Sequence, residues 1–123
     1  MTDFSIGVDI ETNSRFKDLN RRKSKNLLTR VFTEKEMNYC FSKQHPPQHL
    51  AARFAGKEAV IKALRSAGVK DSFLKTNNIE IINNTKGVPI VSICNDKLKK
   101  TKILVSLSHC EDKAIAFAFV ILY

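Results

Sequence analysis

The chain predicts an α+β fold in which an antiparallel sheet is covered by helices, and three stretches carry that expectation. An alternating strand opens it, a helix of about four turns at Leu50–Leu64 fills its middle, and four strand-like runs close it. Its 123 residues can build one core and not two, so a single domain over residues 1–123 is expected.

Phe4–Ile10 alternates, with Ile6, Val8 and Ile10 on one face and Gly7 and Asp9 on the other. The apolar face is expected to enter the core and the Asp9 carboxylate to leave it. Thr12, Asn13 or Ser14 can cap a following helix whose apolar contacts come from Phe16, Leu19, Leu27, Leu28, Val31 and Phe32. The period breaks between Asn20 and Asn26, so a short helix, a basic bend and a second turn fit as well as a single rod. Thr33 and Glu36 form a capping box that opens a short helix to about Phe41, with Phe32 placed to staple onto Met37. Residues 42–48 read as a linker broken by Pro46 and Pro47, after which the central helix begins.

On that helix Leu50, Phe54, Ile61 and Leu64 share one side. Ala52, Ala55, Gly56, Ala59 and Ala63 form a second side with almost no bulk, suited to close approach by another backbone. Glu58 and Lys62, four residues apart, project from what remains; as a surface pair they would contribute only a few tenths of a kcal/mol. Arg53 and Lys57 are a similar pair, with Lys57 inside the apolar arc. Gly68 ends the helical region. A short polar crossover at residues 71–78 leads to strands at Glu80–Asn83 and Val88–Cys94, joined by a turn in which Gly87 supplies a positive backbone angle. Pro89 lacks a donor and places its strand at an edge or rim. A basic loop at residues 95–100 precedes the last two strands, Lys102–His109 and Ala114–Tyr123.

Lys and Arg number 21 against 12 Asp and Glu, a formal charge of +9, which calls for an anionic partner without naming it. The excess is local: between Arg15 and Arg30 lie seven basic residues and one acid, Asp18. The longest apolar run, Ala114–Tyr123, has ten residues and suits a buried strand, not a membrane span. The N-terminus carries no targeting pattern, and three cysteines without a close pair point to a reducing cytoplasm.

A carboxylate on a first strand, a second on a central helix and a lysine one turn beyond it make a phosphate-handling group. Asp9 and Glu58 offer hard oxygens for Mg²⁺, and Lys62 can neutralise phosphoryl charge, provided that strand and helix bring them together. His109, at a strand end, can touch phosphate or sugar, or simply be satisfied within the fold. Cys40, His45 and His49 lack a fourth ligand for zinc. A basic nucleic-acid-binding module would suit the charge but leaves Asp9 and Glu58 unused and lacks interleaved aromatic and basic residues. A Cys110/His109 hydrolase is geometrically poor, because neighbours on a strand face opposite ways.

Several blocks also carry a resemblance. Ile6–Ile10 followed by Arg15, Phe32–Glu36, Arg53-Phe-Ala-Gly-Lys-Glu-Ala59 with Lys62 and Ala63, Gly87–Pro89, and Ser106–His109 resemble, in order and over nearly the whole chain, the holo-acyl-carrier-protein synthases. These are the small single-domain branch of the 4'-phosphopantetheinyl transferases. The resemblance implies transfer of 4'-phosphopantetheine from coenzyme A to a serine of apo acyl carrier protein, releasing adenosine 3',5'-bisphosphate, in the service of fatty acid and lipid synthesis. It implies that Asp9 and Glu58 hold Mg²⁺ on the coenzyme A pyrophosphate and that Lys62 contacts those phosphates. Glu58 is left open as ligand or base. It implies a homotrimer with sites between subunits, the strand at Gly87 and Pro89 and the pair Ser108–His109 forming the nucleotide side of the cleft. Arg53 and Lys57 match the block as substrate-binding positions, and Arg15, Arg21 and Arg22 match the surface that docks acidic carrier protein. The chain departs from the family at Arg65, where a glycine-rich turn is usual; the arginine can clasp phosphate from a reshaped turn or simply point to solvent. It departs again at Val88, where a basic residue is common, so phosphate contact there comes from Lys86 or is absent.

Overall fold

The computed structural model describes residues 3–70, 72, 74–98 and 100–122. Asp71, Phe73, Lys99 and Tyr123, assigned above to the crossover, the basic loop and the last strand, lie outside the described residues. The elements run β1 (Asp3–Thr12), α1 (Lys25–Val31), α2 (Glu34–Phe41), α3 (Pro46–Ser66), β2 (Ile79–Asn83), β3 (Pro89–Ile93), β4 (Lys102–His109) and β5 (Lys113–Leu122). The α+β class stands, but the five strands divide into an antiparallel sheet of order β1-β5-β4 and a separate β2-β3 hairpin. Gly87 turns that hairpin at φ 80°, and Pro89 opens its second strand. No described helix is long and apolar enough to cross a membrane.

The helix is longer than its apolar pattern indicates. Pro46 and Pro47 do not break a linker; they occupy the first turn of α3, where a missing N–H costs nothing because that donor would be orphaned anyway. The segment before it takes the interrupted form: a 3₁₀ turn at Asn13–Phe16, a basic bend, then the short α1. The capping box of α2 is formed in both directions.

The first strand is turned over relative to expectation. Phe4, Ile6, Val8 and Ile10 point outward at 52–63% exposure, while Ser5 and Gly7 are buried and Asp9 and Glu11 face inward beside them. The reason lies in α3. Its small side packs against β1 so closely that a Cβ added to Gly7 would stand 2.0 Å from the Ala59 carbonyl oxygen and 2.8 Å from the Ala63 nitrogen. The Ser5 hydroxyl donates to the Ala63 carbonyl at 2.6 Å. β5 follows the same plan, with Ala114, Ala116, Ala118 and Val120 buried beneath the helix and Ile115 and Phe117 turned out. Large side chains cannot enter such a contact, so the bulky faces of both strands are left on the outside.

Candidate active site

The inverted strand carries its carboxylates towards the helix. Lys62, one turn beyond Glu58 on the same face of α3, donates from Nζ to Asp9 Oδ1 at 3.1 Å and to the Val8 carbonyl at 3.0 Å. Asp9 Oδ2 is buried and has no hydrogen-bond partner, an oxygen with unfilled capacity aimed into the same region. Glu11, two residues along and therefore on the same face, was not singled out from the sequence; the period of the strand was the available signal. Burial pushes its carboxyl above the usual range; its hydrogen bond to Arg15 opposes this, and the Asp9 charge reinforces it.

Glu58 lines a cavity of about 390 Å³ together with Arg30, Arg65, Lys75, Thr76 and Asn77. The wall is thus largely cationic around one carboxylate, which suits an anionic ligand. The donors offered to a metal are all hard oxygens, and Asp9 Oδ2 is available as one of them. Among the described residues no three acid, His or Cys side chains could hold an ion together. Mg²⁺ does not need that many, because it keeps waters and takes substrate phosphate oxygens alongside one or two carboxylates. Asp9 and Glu58 each carry oxygens of the kind it takes, and among the described residues no hydrogen bond joins the two carboxylates.

Two positions matched to substrate binding turn inward instead. Lys57 is fully buried and ion-paired with Glu36, so its ammonium does not reach the cavity of Glu58. An arginine–aromatic contact explains the second. Arg53 is 3% exposed, its guanidinium 4.6 Å over the Tyr39 ring and its Nη2 donating to Asn83 Oδ1 at 3.1 Å, with Nε buried and unpartnered. Beside this arginine stands His49, read from the sequence only as a zinc ligand, with Lys43 and His109 nearby. His49 packs edge-on to Tyr39, and Lys43 lies 4.7 Å over the same ring. Burial pulls the His49 imidazole below its ordinary value, and the charges of Lys43, Arg53, His109 and His45 pull the same way. His109 Nδ1 lies 3.0 Å from the Gln48 side-chain nitrogen, bringing β4 to the start of α3. The result is a second cluster, with the Arg53 guanidinium inside it and Lys43 at its exposed edge. Cys40 belongs to the core instead, its thiol pushed up to about 12 by burial.

Among the described residues no hydrogen bond, ion pair or cavity joins Gly87, Pro89, Ser108 or His109 to Asp9, Glu58 or Lys62. Ser108 is paired with Ile115 and shares the outward face of the sheet, whereas Asp9 faces inward. Lys86 lies exposed in the β2-β3 turn. Arg15 sits against Glu11 at 2.9 Å with its guanidinium 4.9 Å over Phe54, at the mouth of an apolar cavity of about 120 Å³ that includes Leu19, Leu27 and Phe32. Arg21 pairs with Glu34 at 2.8 Å and also donates to Asn38. Arg22 lines a neighbouring cleft with Lys17, Leu19 and Phe41.

A family model described as the 4'-phosphopantetheinyl transferase superfamily matches residues 5–118. A holo-[acyl-carrier-protein] synthase of Thermodesulfovibrio yellowstonii is 44% identical over 115 residues, spanning 94% of this chain and 96% of that protein. One from Aquifex aeolicus is 40% identical over 119 residues, spanning 94% and 96%. Among solved structures, the Helicobacter pylori holo-[acyl-carrier-protein] synthase in complex with coenzyme A superposes with a TM-score of 0.78 at 28% identity, over 94% of this chain and 98% of that one. The Bacillus anthracis enzyme in complex with coenzyme A (3',5'-ADP) gives 0.77 at 25% identity, over 97% and 96%.

Proposed function

The chain belongs to the 4'-phosphopantetheinyl transferase superfamily, and from that membership we propose that it is a holo-acyl-carrier-protein synthase using Mg²⁺. It moves the phosphopantetheine arm of coenzyme A to a serine of apo acyl carrier protein. The observation that carries the assignment to a site is Lys62 held against Asp9, one helical turn from Glu58. The serine oxygen bonds to the phosphorus that bears the arm, that phosphorus loses its bond to the bridging oxygen, and adenosine 3',5'-bisphosphate departs. The serine proton passes to a carboxylate of the site. Asp9 and Glu58 would hold Mg²⁺, which when bound offsets charge on the pyrophosphate. Lys62, half exposed at its side chain, is placed to turn its ammonium from Asp9 onto a phosphoryl oxygen. Arg30, Arg65 and Lys75 line the cavity beside Glu58 and favour the anionic donor. The direct test mixes the protein with apo carrier protein, coenzyme A and Mg²⁺. Intact mass spectrometry is expected to show the carrier gaining one arm; no gain would overturn the assignment.

The working form we propose is a homotrimer with sites shared between subunits, acting in the cytoplasm. The support is the outward sheet face, where Ile6, Val8, Ile10, Leu104, Ile115 and Phe117 are 43–59% exposed on adjoining strands. An apolar surface of that extent on a chain so rich in charge fits a second copy. The small side of α3, the other surface suited to assembly, is instead used within the chain on Gly7. Sharing would also offer the exposed Ser108, His109 and Lys86 of one subunit to the nucleotide held by the carboxylates of the next. Light scattering at micromolar concentration is expected to give three times the chain mass. An active monomer would exclude this arrangement.

The basic bend is assigned to carrier docking. Arg15, Arg21 and Arg22 border apolar hollows, a combination suited to an acidic helix with an apolar side. R21E/R22E is expected to lower kcat/KM for carrier protein by about 10-fold or more while coenzyme A affinity changes by less than about twofold. Added salt weakens carrier recognition by the unmodified protein and does so less in the variant. Equal losses for both substrates, or none for the carrier, would leave the bend as plain surface charge.

A further inference from the structure

We propose that Lys57 is a positioning residue that shapes the coenzyme A cavity through the wall facing Glu58, a role that rests on the site assignment above. The ammonium has three donors and meets three acceptors: the Glu36 carboxylate, the Val31 carbonyl at 2.7 Å and the Thr76 carbonyl at 2.9 Å. Glu36 is equally committed. It accepts the Thr33 N–H at 2.9 Å with Oε1 and the Ile81 N–H at 2.8 Å with Oε2. One buried pair therefore ties α3 to the end of α1, the cap of α2, the 3₁₀ turn at Thr76–Asn78 and the strand β2.

Two of those tethered segments line the cavity. Thr76 and Asn77 line it directly, and the Thr76 hydroxyl donates to the Arg30 carbonyl at 3.3 Å, linking the turn to another lining residue. Lys57 immediately precedes Glu58, so one turn of helix fixes the wall with an inward side chain and presents the carboxylate with the next. The Val31 carbonyl ends its helix, and Lys57 gives it a donor; the Thr76 carbonyl accepts from the same ammonium as well as from the Ile79 N–H. Stability alone is a poor reason for this arrangement, since well-packed apolar residues commonly replace a buried ion pair without loss. An apolar residue at 57 would fill the space but would take the ammonium from the Val31 carbonyl and leave the Thr76 carbonyl with the Ile79 N–H alone, releasing the turn from α3.

K57M is expected to fold less stably, because Glu36 keeps a buried charge without a partner. E36Q/K57M removes that charge, and the new amide oxygen at position 36 can accept from Thr33 or from Ile81 but not from both, so its melting temperature should recover only part of the way towards that of the unmodified protein. In the double variant, coenzyme A affinity measured by calorimetry is expected to fall about 10-fold or more, the scale of lost support behind a binding group. KM for carrier protein should stay within about twofold. Amide exchange at residues 74–78 should accelerate while residues 50–64 keep their protection. A folded double variant with native coenzyme A affinity and native exchange at 74–78 would make Lys57 a purely structural residue and overturn the proposal. Failure of the unmodified protein to bind coenzyme A would instead strike at the site assignment, and the exchange measurement would still decide whether the tether holds the turn.

Discussion

Asp9→Asn and Glu58→Gln are each expected to cut transfer to carrier protein by about 10²-fold or more, the range seen when a positioned charge or proton acceptor is removed from a reacting centre. Both replacements keep the shape of the side chain, and neither carboxylate lies in the apolar core, so the fold should survive. The amide introduced at position 9 would still accept from Lys62 but would give a metal a neutral oxygen in place of a charged one. The amide at position 58 would do the same from the helix side. Carrier binding, which we assign to the basic bend, should be nearly unchanged in both. The measurement is initial rate against Mg²⁺ concentration, with melting temperature as the control for folding. A folded variant that keeps full turnover at limiting Mg²⁺ would remove that residue from the site.

The second large effect is expected from Gly7→Ala, one methyl group on a chain of 123 residues. The added carbon would meet the Ala59 carbonyl oxygen at 2.0 Å and the Ala63 nitrogen at 2.8 Å, both backbone atoms that no rotamer change can move. β1 would have to lift from α3, losing the Ser5 hydrogen bond and separating Asp9 from Lys62. We expect destabilisation of about 3 kcal/mol or more, at the upper end of overpacking effects. That corresponds to a melting temperature lower by about 10 °C, with activity falling further than stability alone explains. Gly56→Ala is the informative contrast. Its new carbon would meet Ile81 Cδ1 at 2.6 Å and Leu107 Cδ2 at 3.2 Å, side-chain ends that can rotate aside. It also gains helix propensity, so a change within about 1 kcal/mol is expected. Thermal unfolding of the two variants decides the point; equal behaviour would mean that the contact between α3 and β1 is softer than its geometry implies.

These two sites also mark the boundary of what the sequence makes legible. The alternation of Phe4–Ile10 gives the strand and separates Asp9 from Ile6, Val8 and Ile10, but a period of two does not say which face goes inward. The usual preference for burying the apolar face points the wrong way here. Only the match between Gly7, the alanines of β5 and the alanines of α3 settles it, and that match joins residues more than fifty positions apart. Lys57 illustrates a related limit. Its misplaced charge is plain on a helical wheel, yet its partner Glu36 is fully explained by the cap of α2, so nothing local reveals that one carboxylate serves both. The inward turn of Arg53 escapes for the opposite reason: it stacks on Tyr39, whose position in space depends on how α2 packs on α3. The Glu58–Lys62 spacing, by contrast, is local to one helix and can be read directly.

The pairing of β1 with β5 runs without a bulge from Asp3 opposite Leu122 to Thr12 opposite Lys113. Over that length the strand works as a ruler with marks on both edges: even-numbered positions from Phe4 to Ile10 address the outside, odd-numbered ones from Ser5 to Glu11 address the helix. Gaining or losing one residue between Ser5 and Asp9 would exchange the edges on one side of the change, forcing a bulky side chain onto Ala59 or turning the carboxylate out. Substitutions on the outward edge leave this register intact, whereas a single-residue insertion or deletion shifts it. Change of length in this protein belongs to its turns.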